Sequence, residues 1–301
     1  MKSVIRNSVL IFSVVVAAFA GAIANATATH AASGGLTISP TSVEVTAAPG
    51  GTYKGEMLVM NQGELDVAYS VYATPYSVTG EEYKPYFSPI QGATDITKWF
   101  TFDKSGNDSL KIGTQESIPY IITVPKNVGA GGYYATVFAE TADKGGAAGV
   151  VTRKRVGMII YLRVSGSVKE SGSINAWNVD WIQQAPLRAD VKVANAGSVH
   201  FKANVHVTVS DLFGSKKFSY ERSPEILPQK LRDIPISWEN GATYGLFKVN
   251  GTVTYLNKTE QLPTRYVFVA NLPMRLLTGG ALIAFVALIV FGSRRVATRK
   301  K

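Results

Sequence analysis

Alternation with a period of two runs through the middle of the chain. Phe201, Ala203, Val205, Val207 and Val209 fall on one face of an extended segment, with Lys202, Asn204, His206, Thr208 and Ser210 on the other. Leu187, Ala189, Val191 and Val193 oppose Arg188, Asp190 and Lys192 in the same way. Such runs, broken by Gly, Pro and Asn, predict half-buried antiparallel strands. Between residues 33 and 271 no window of a dozen residues keeps a 3.6-residue apolar period without Gly, Pro or a β-branched run. The predicted class is all-β.

The pattern repeats. Val59-Met60-Asn61-Gln62-Gly63 matches Val193-Ala194-Asn195-Ala196-Gly197 at an offset of 134, and Val71 with Val205 and Gly80 with Gly214 keep it. Each copy reads as a strand ending in an Asn-x-Gly turn, a second strand pairing back and another Gly turn. Each half also carries a strand, a Gly-containing corner and a Tyr opening the next strand, at Tyr133 and Tyr244. That arrangement resembles the tyrosine corner of Ig-like sandwiches. The polar stretch 166–173 separates the halves, which predicts two tandem Ig-like antiparallel β-sandwiches over 33–165 and 174–271. Each is long enough to bury a core without disulfides.

Charge changes the picture only at the chain ends. The net charge is +10, with 31 Lys and Arg against 21 Asp and Glu. Lys2 and Arg6 precede an apolar run from Val9 to Ala22 and Ala-x-Ala sites, so 1–32 reads as a secretory signal peptide. Residues 276–293 carry no charge and are rich in Leu, Ile, Val and Phe, which predicts a transmembrane helix over 272–293 with its span from Leu276 to Gly292. Arg294, Arg295, Arg299, Lys300 and Lys301 follow as a basic tail, 294–301, which the positive-inside rule places in the cytoplasm with the rest of the chain outside. Removing eight basic residues, two of the signal, Arg275 and five of the tail, leaves 23 against the same 21, and the motive for a nucleic-acid partner disappears. The expected location is the cell membrane, single-pass, with an extracellular ectodomain.

The first half runs Leu36-Thr37-Ile38-Ser39-Pro40, Pro49-Gly50-Gly51, Val59-Met60-Asn61, Val124-Pro125 and Gly131-Gly132-Tyr133-Tyr134. With two such domains behind a signal peptide and before one span and a basic tail, the layout resembles the WxL-interacting proteins of Gram-positive bacteria. That resemblance implies an N-terminal domain associated with peptidoglycan and a second domain associated with protein partners. Paired-sandwich pilus chaperones are similar in layout but are soluble.

Candidate chemistry is sparse. The chain has no Cys, which excludes disulfides, thiolate zinc sites and a Cys nucleophile. No Gly-x-Ser-x-Gly elbow, P-loop or His-Glu-x-x-His occurs. His200 and His206 are expected on one solvated strand face, about 20 Å apart at ~3.3 Å per residue, too far to share a metal. Glu81 and Glu82 are neighbours on opposite faces and form no glycosidase pair by themselves. No enzyme, cofactor, metal or small-molecule ligand is therefore expected. Tyr83, Tyr86 and Trp99 stand in a Pro- and Gly-containing stretch, where exposed rings would stack on the C–H faces of a cell-wall glycan; the alternative is that they fill the core. Trp177 and Trp181 are expected on one strand face, as a core or interdomain contact or as a partner hot spot. Leu272-Pro273-Met274-Arg275 lacks the Thr-Gly of a sortase signal, so the span is the anchor. The expected role is binding or adhesion to a cell-wall glycan or another surface protein, with a structural spacer or assembly scaffold as the alternative.

Overall fold

The computed structural model describes residues 35–91, 94–141, 153–271, 274, 276–277, 279–281 and 283–289. The signal-peptide and basic-tail expectations lie outside them. The first eleven strands are β1 Leu36–Ser39, β2 Ser42–Ala47, β3 Thr52–Asn61, β4 Val67–Pro75, β5 Ser77–Thr79, β6 Lys84–Tyr86, β7 Phe100–Phe102, β8 Gly106–Leu110, β9 Gln115–Thr123, β10 Gly131–Thr141 and β11 Arg155–Val164. They form two facing sheets, β1-β3-β9-β7 and β2-β11-β10-β4-β8, and a small β5-β6 hairpin. Alternate residues such as Met57, Val59, Ile118, Ile122, Val137, Ile160 and Leu162 bury their side chains in one core between the sheets.

Ten further strands follow: β12 Gly172–Asn178, β13 Ile182–Gln183, β14 Leu187–Asn195, β15 Phe201–Lys202, β16 Asn204–Asp211, β17 Lys216–Arg222, β18 Glu225–Ile226, β19 Lys230–Trp238, β20 Tyr244–Tyr255 and β21 Lys258–Ala270. Their main sheets, β12-β14-β19 and β13-β21-β20-β16-β17, enclose a second core around Val191, Val193, Val205, Val207, Val249 and Val267. Both alternating runs read from the sequence keep their apolar members buried.

The two sandwiches share a plan. In each, the opening strand is split between the sheets, and its second piece pairs in parallel with the last strand: β2 with β11, β13 with β21. The Asn-x-Gly repeat has a common cause. Asn61 Nδ2 donates to the carbonyls of Leu65 at 2.8 Å and Leu110 at 3.0 Å, and its Oδ1 accepts from Gly63 N–H at 3.0 Å. Asn195 repeats all three bonds with Val199, Ile226 and Gly197, each at 2.8 Å. Each buried amide thus satisfies a turn and ties it to a distant strand. Gly80 and Gly214 both adopt positive φ, 67° and 86°. Of the two corners, Tyr133 OH donates to Gly129 O at 2.9 Å, whereas Tyr244 is exposed and packs edge-on against Phe268.

Two local expectations are corrected. The strand read through Trp177 and Trp181 ends at Asn178, where the backbone leaves the sheet; Trp177 is buried and donates to Pro263 O at 2.9 Å, while Trp181 is 68% exposed on the bend beyond. His200 precedes β15 and does not share an exposed face with His206, because it packs against the first sandwich. Among the described residues no helix is long and apolar enough to cross a membrane. Helical residues occur at 274, 276–277, 279–281 and 283–289, and the remainder of the 276–292 span lies outside the described residues.

Candidate interaction face and the domain seam

The three ring residues read from the sequence do not form a common platform. Trp99 closes a short 3-10 turn, Ile96–Trp99, whose N-cap Asp95 accepts from Thr97 N–H; the turn aims Trp99 inward, 6% exposed, against Tyr133. Tyr83 is 8% exposed, and Tyr86 alone, at 40%, faces solvent. The Pro- and Gly-containing stretch is irregular without being superficial. Its hairpin β5-β6 folds across the second sandwich and buries Tyr83 there.

That hairpin builds the seam. Tyr76, Val78, Tyr83 and Tyr161 of the first sandwich enclose Leu227 of the second in a small apolar cluster. Tyr83 OH accepts from Leu227 N–H at 3.0 Å, and the Arg232 guanidinium lies 4.4 Å from the Tyr83 ring centroid. Burial pushes the Tyr83 phenol up to about 12. Backbone bonds cross as well: Gly132 N–H to Ser198 O at 2.9 Å and Asp233 N–H to Glu81 O at 2.8 Å.

A polar group of side chains closes the other side of the seam. Tyr134 OH accepts from His200 N–H at 3.0 Å and contacts His200 Nδ1 at 3.2 Å. Lys202 bonds Glu44 across the seam and lies 3.6 Å from Glu225. Burial lowers the His200 imidazole to about 4. Burial, and then the charge of Glu44, raise the Glu225 carboxyl to about 7. Its Oε2 has no hydrogen-bond partner.

Beside the seam, the outer surface of β12-β14-β19 is concave and polar. Inward pairs Ala189–Ile236 and Val191–Ile234 fill the core, so their neighbours Arg188–Ser237, Asp190–Pro235 and Lys192–Asp233 face out. The resulting groove encloses 810 Å³ and carries four acidic side chains, Asp180, Asp190, Asp233 and Glu239, against Arg188. Asn178 Nδ2 donates to Asp190 Oδ2 at 2.7 Å, and Lys192 pairs with Glu81 at 2.5 Å where the sheet meets the hairpin. Asp233 stands at that junction. Burial, followed by the charge of Asp190, raises its carboxyl, and its Oδ1 has no hydrogen-bond partner. The adjacent edge of β19 is closed to a further strand: Glu81 O occupies the Asp233 N–H, and Pro235, two residues on, has none to offer. The face, and not the edge, is what remains available. Sequence reasoning singled out neither Asp190 nor Asp233, although their outward register on β14 and β19 was open to it.

Among the described residues no group of three or more His, Asp or Glu could hold a metal ion. No family model matches the chain, and no curated protein matches it, so the resemblance to WxL-interacting proteins gains no support from either. Solved structures do resemble it. The chaperone YadV is 10% identical, with 75% of this chain and 99% of that one covered at a TM-score of 0.40. The E. coli chaperone DraB is 11% identical, covering 79% and 98% at 0.38. A chain of the CsuC-CsuE chaperone and tip-adhesion subunit complex from Acinetobacter baumannii is 12% identical, covering 77% and 98% at 0.37. These likenesses identify no family.

Proposed function

We propose that the chain is a non-catalytic, membrane-anchored binding protein of the cell surface, and that the acidic groove of its second sandwich holds a basic segment of a protein partner. The observation that carries this reading is Asp233, a half-buried carboxylate whose Oδ1 has no hydrogen-bond partner, where the groove meets the hairpin. A guanidinium or ammonium group entering there would supply the missing donor and relieve the repulsion among Asp190, Glu81 and Asp233. Anchoring is supported by the uncharged run 276–292 and by the exposed apolar side chains of its helical residues, among them Leu276, Ile283, Phe285 and Leu288. The glycan version of the reading keeps Tyr86 alone.

The test is capture of surface proteins by the full chain, compared with its Asp190→Asn/Asp233→Asn variant. Two charge-assisted contacts at about 1.5 kcal/mol each predict binding roughly a hundredfold weaker, and a steep loss of binding with salt. Binding that survives both changes would refute the groove as the site. The welded seam favours a second role beside this one, a stiff spacer that holds the first sandwich at a fixed distance from the membrane.

A further inference from the structure

The second sandwich has two ends with different surroundings. One end, bearing Ser198, His200 and Leu227, is covered by the first sandwich. The chain leaves the other end, where Ala270 closes β21 opposite Tyr244. The β16–β17 turn lies at that same end. Asp211 pairs with Phe247, three residues short of Tyr244 and so about 10 Å below it at ~3.3 Å per residue, and the turn projects onward from there.

That turn carries Leu212, 57% exposed, and Phe213, 97% exposed, the latter being the most exposed large apolar side chain among the described residues. Neither is a frayed loop residue. Asp211 Oδ1 accepts from Phe213 N–H at 3.0 Å and Ser215 N–H at 2.9 Å, Asp211 O accepts from Gly214 N–H at 3.1 Å, and Gly214 takes the positive φ the turn needs. A braced turn that points Phe outward holds it away from the core, which an unconstrained apolar tip would approach. Tyr244 and Leu246, also exposed, stand beside it at the exit, and Lys216 and Lys217 follow it, with Lys217 paired to Asp211 at 3.0 Å.

We infer that this end of the second sandwich rests on the lipid bilayer, with Leu212 and Phe213 dipping into the interface and Tyr244 and Lys216 at headgroup level. The inference rests on the membrane-anchored reading above. What places lipid there is continuity: Met274 is helical only four residues after Ala270, and the apolar run begins at Leu276. Aromatic rings with a polar tip favour this depth, and lysines beside them favour anionic headgroups. The contact would fix the tilt of the ectodomain, so that the groove faces sideways along the membrane surface.

The absence of Cys makes the test direct. Full-length Phe213→Cys and Leu65→Cys chains, each labelled with an environment-sensitive fluorophore, are reconstituted in phosphatidylcholine–phosphatidylglycerol vesicles containing doxyl-labelled lipid. Leu65 is an exposed position of the first sandwich. Loss of emission at 213 and none at 65 is expected. A chain that floats with the vesicles but keeps its emission at 213 overturns the tip contact and leaves the anchor intact, as does equal quenching at both sites. A chain that does not float overturns the anchor and the contact together.

Discussion

Asn61 and Asn195 show how one short side chain can organise a sandwich twice. Each is buried, and each makes two donations and one acceptance with partners at matching positions. Alanine at either would strand two carbonyls and an N–H, at a cost of about 3 kcal/mol. Chemical denaturation should show similar losses for the two variants, because their environments are alike. At the seam, pH acts through two groups of opposite sign. Glu225 is raised to about 7 when folded, so its contribution is most favourable below the ordinary carboxyl range and falls as pH rises to about 7. His200 is lowered to about 4, so its contribution is present above the ordinary imidazole range and falls as pH drops towards 4. Around them stand Glu44, Lys202, Arg163, Arg232, Tyr134 and Tyr161. Between pH 4.5 and 6.5 the two trends oppose each other. The Glu225→Gln variant should therefore lose stability on acidification through that window, and His200→Gln should lose it as pH rises. Parallel pH profiles for the two would contradict this account.

At the scale of elements, the β5-β6 hairpin does more than its six paired residues indicate. It supplies Tyr83 to Leu227 and Glu81 to Lys192 and Asp233. A Tyr83→Ala chain should lose the apolar seam and the bond to Leu227, and thermal unfolding should separate into two transitions, with a single one expected for the native chain. Retention of a single transition would show that the polar contacts around Lys202 and His200 suffice. The strands were legible in the sequence because alternation and Asn-x-Gly turns are local: β14 and β16 read directly from their apolar positions, and the Asn61–Asn195 repeat from matching turn residues, whereas the bonds of each Asn to a strand 49 or 31 residues away are not visible there. The seam was not legible. Tyr83 and Leu227 lie 144 positions apart, and His200 and Tyr134 lie 66 apart, so no window holds both partners. Between exposed platform and core the sequence does not decide for Tyr83 and Trp99, because Pro and Gly mark irregular backbone that can still be covered: Trp99 turns into its own core and Tyr83 lies beneath the neighbouring sandwich.

For the whole molecule, the parts fall in one order: first sandwich, sealed seam, second sandwich, exit at Ala270, apolar run. Strand edges in this arrangement are short, bulged, basic or closed by proline, as on β1, β12, β17 and β19. Recognition is thereby directed to side chains on a face, and the concave face of β12-β14-β19 is acidic. Its charge is local and is not visible in the net +10, which comes from the basic residues at the chain ends. The most direct measurement is photo-crosslinking in intact cells from a benzoylphenylalanine placed at Ser237, on the groove floor. One dominant protein adduct is expected, and it should disappear in the Asp233→Asn background. No adduct, or an adduct indifferent to Asp233, would contradict it.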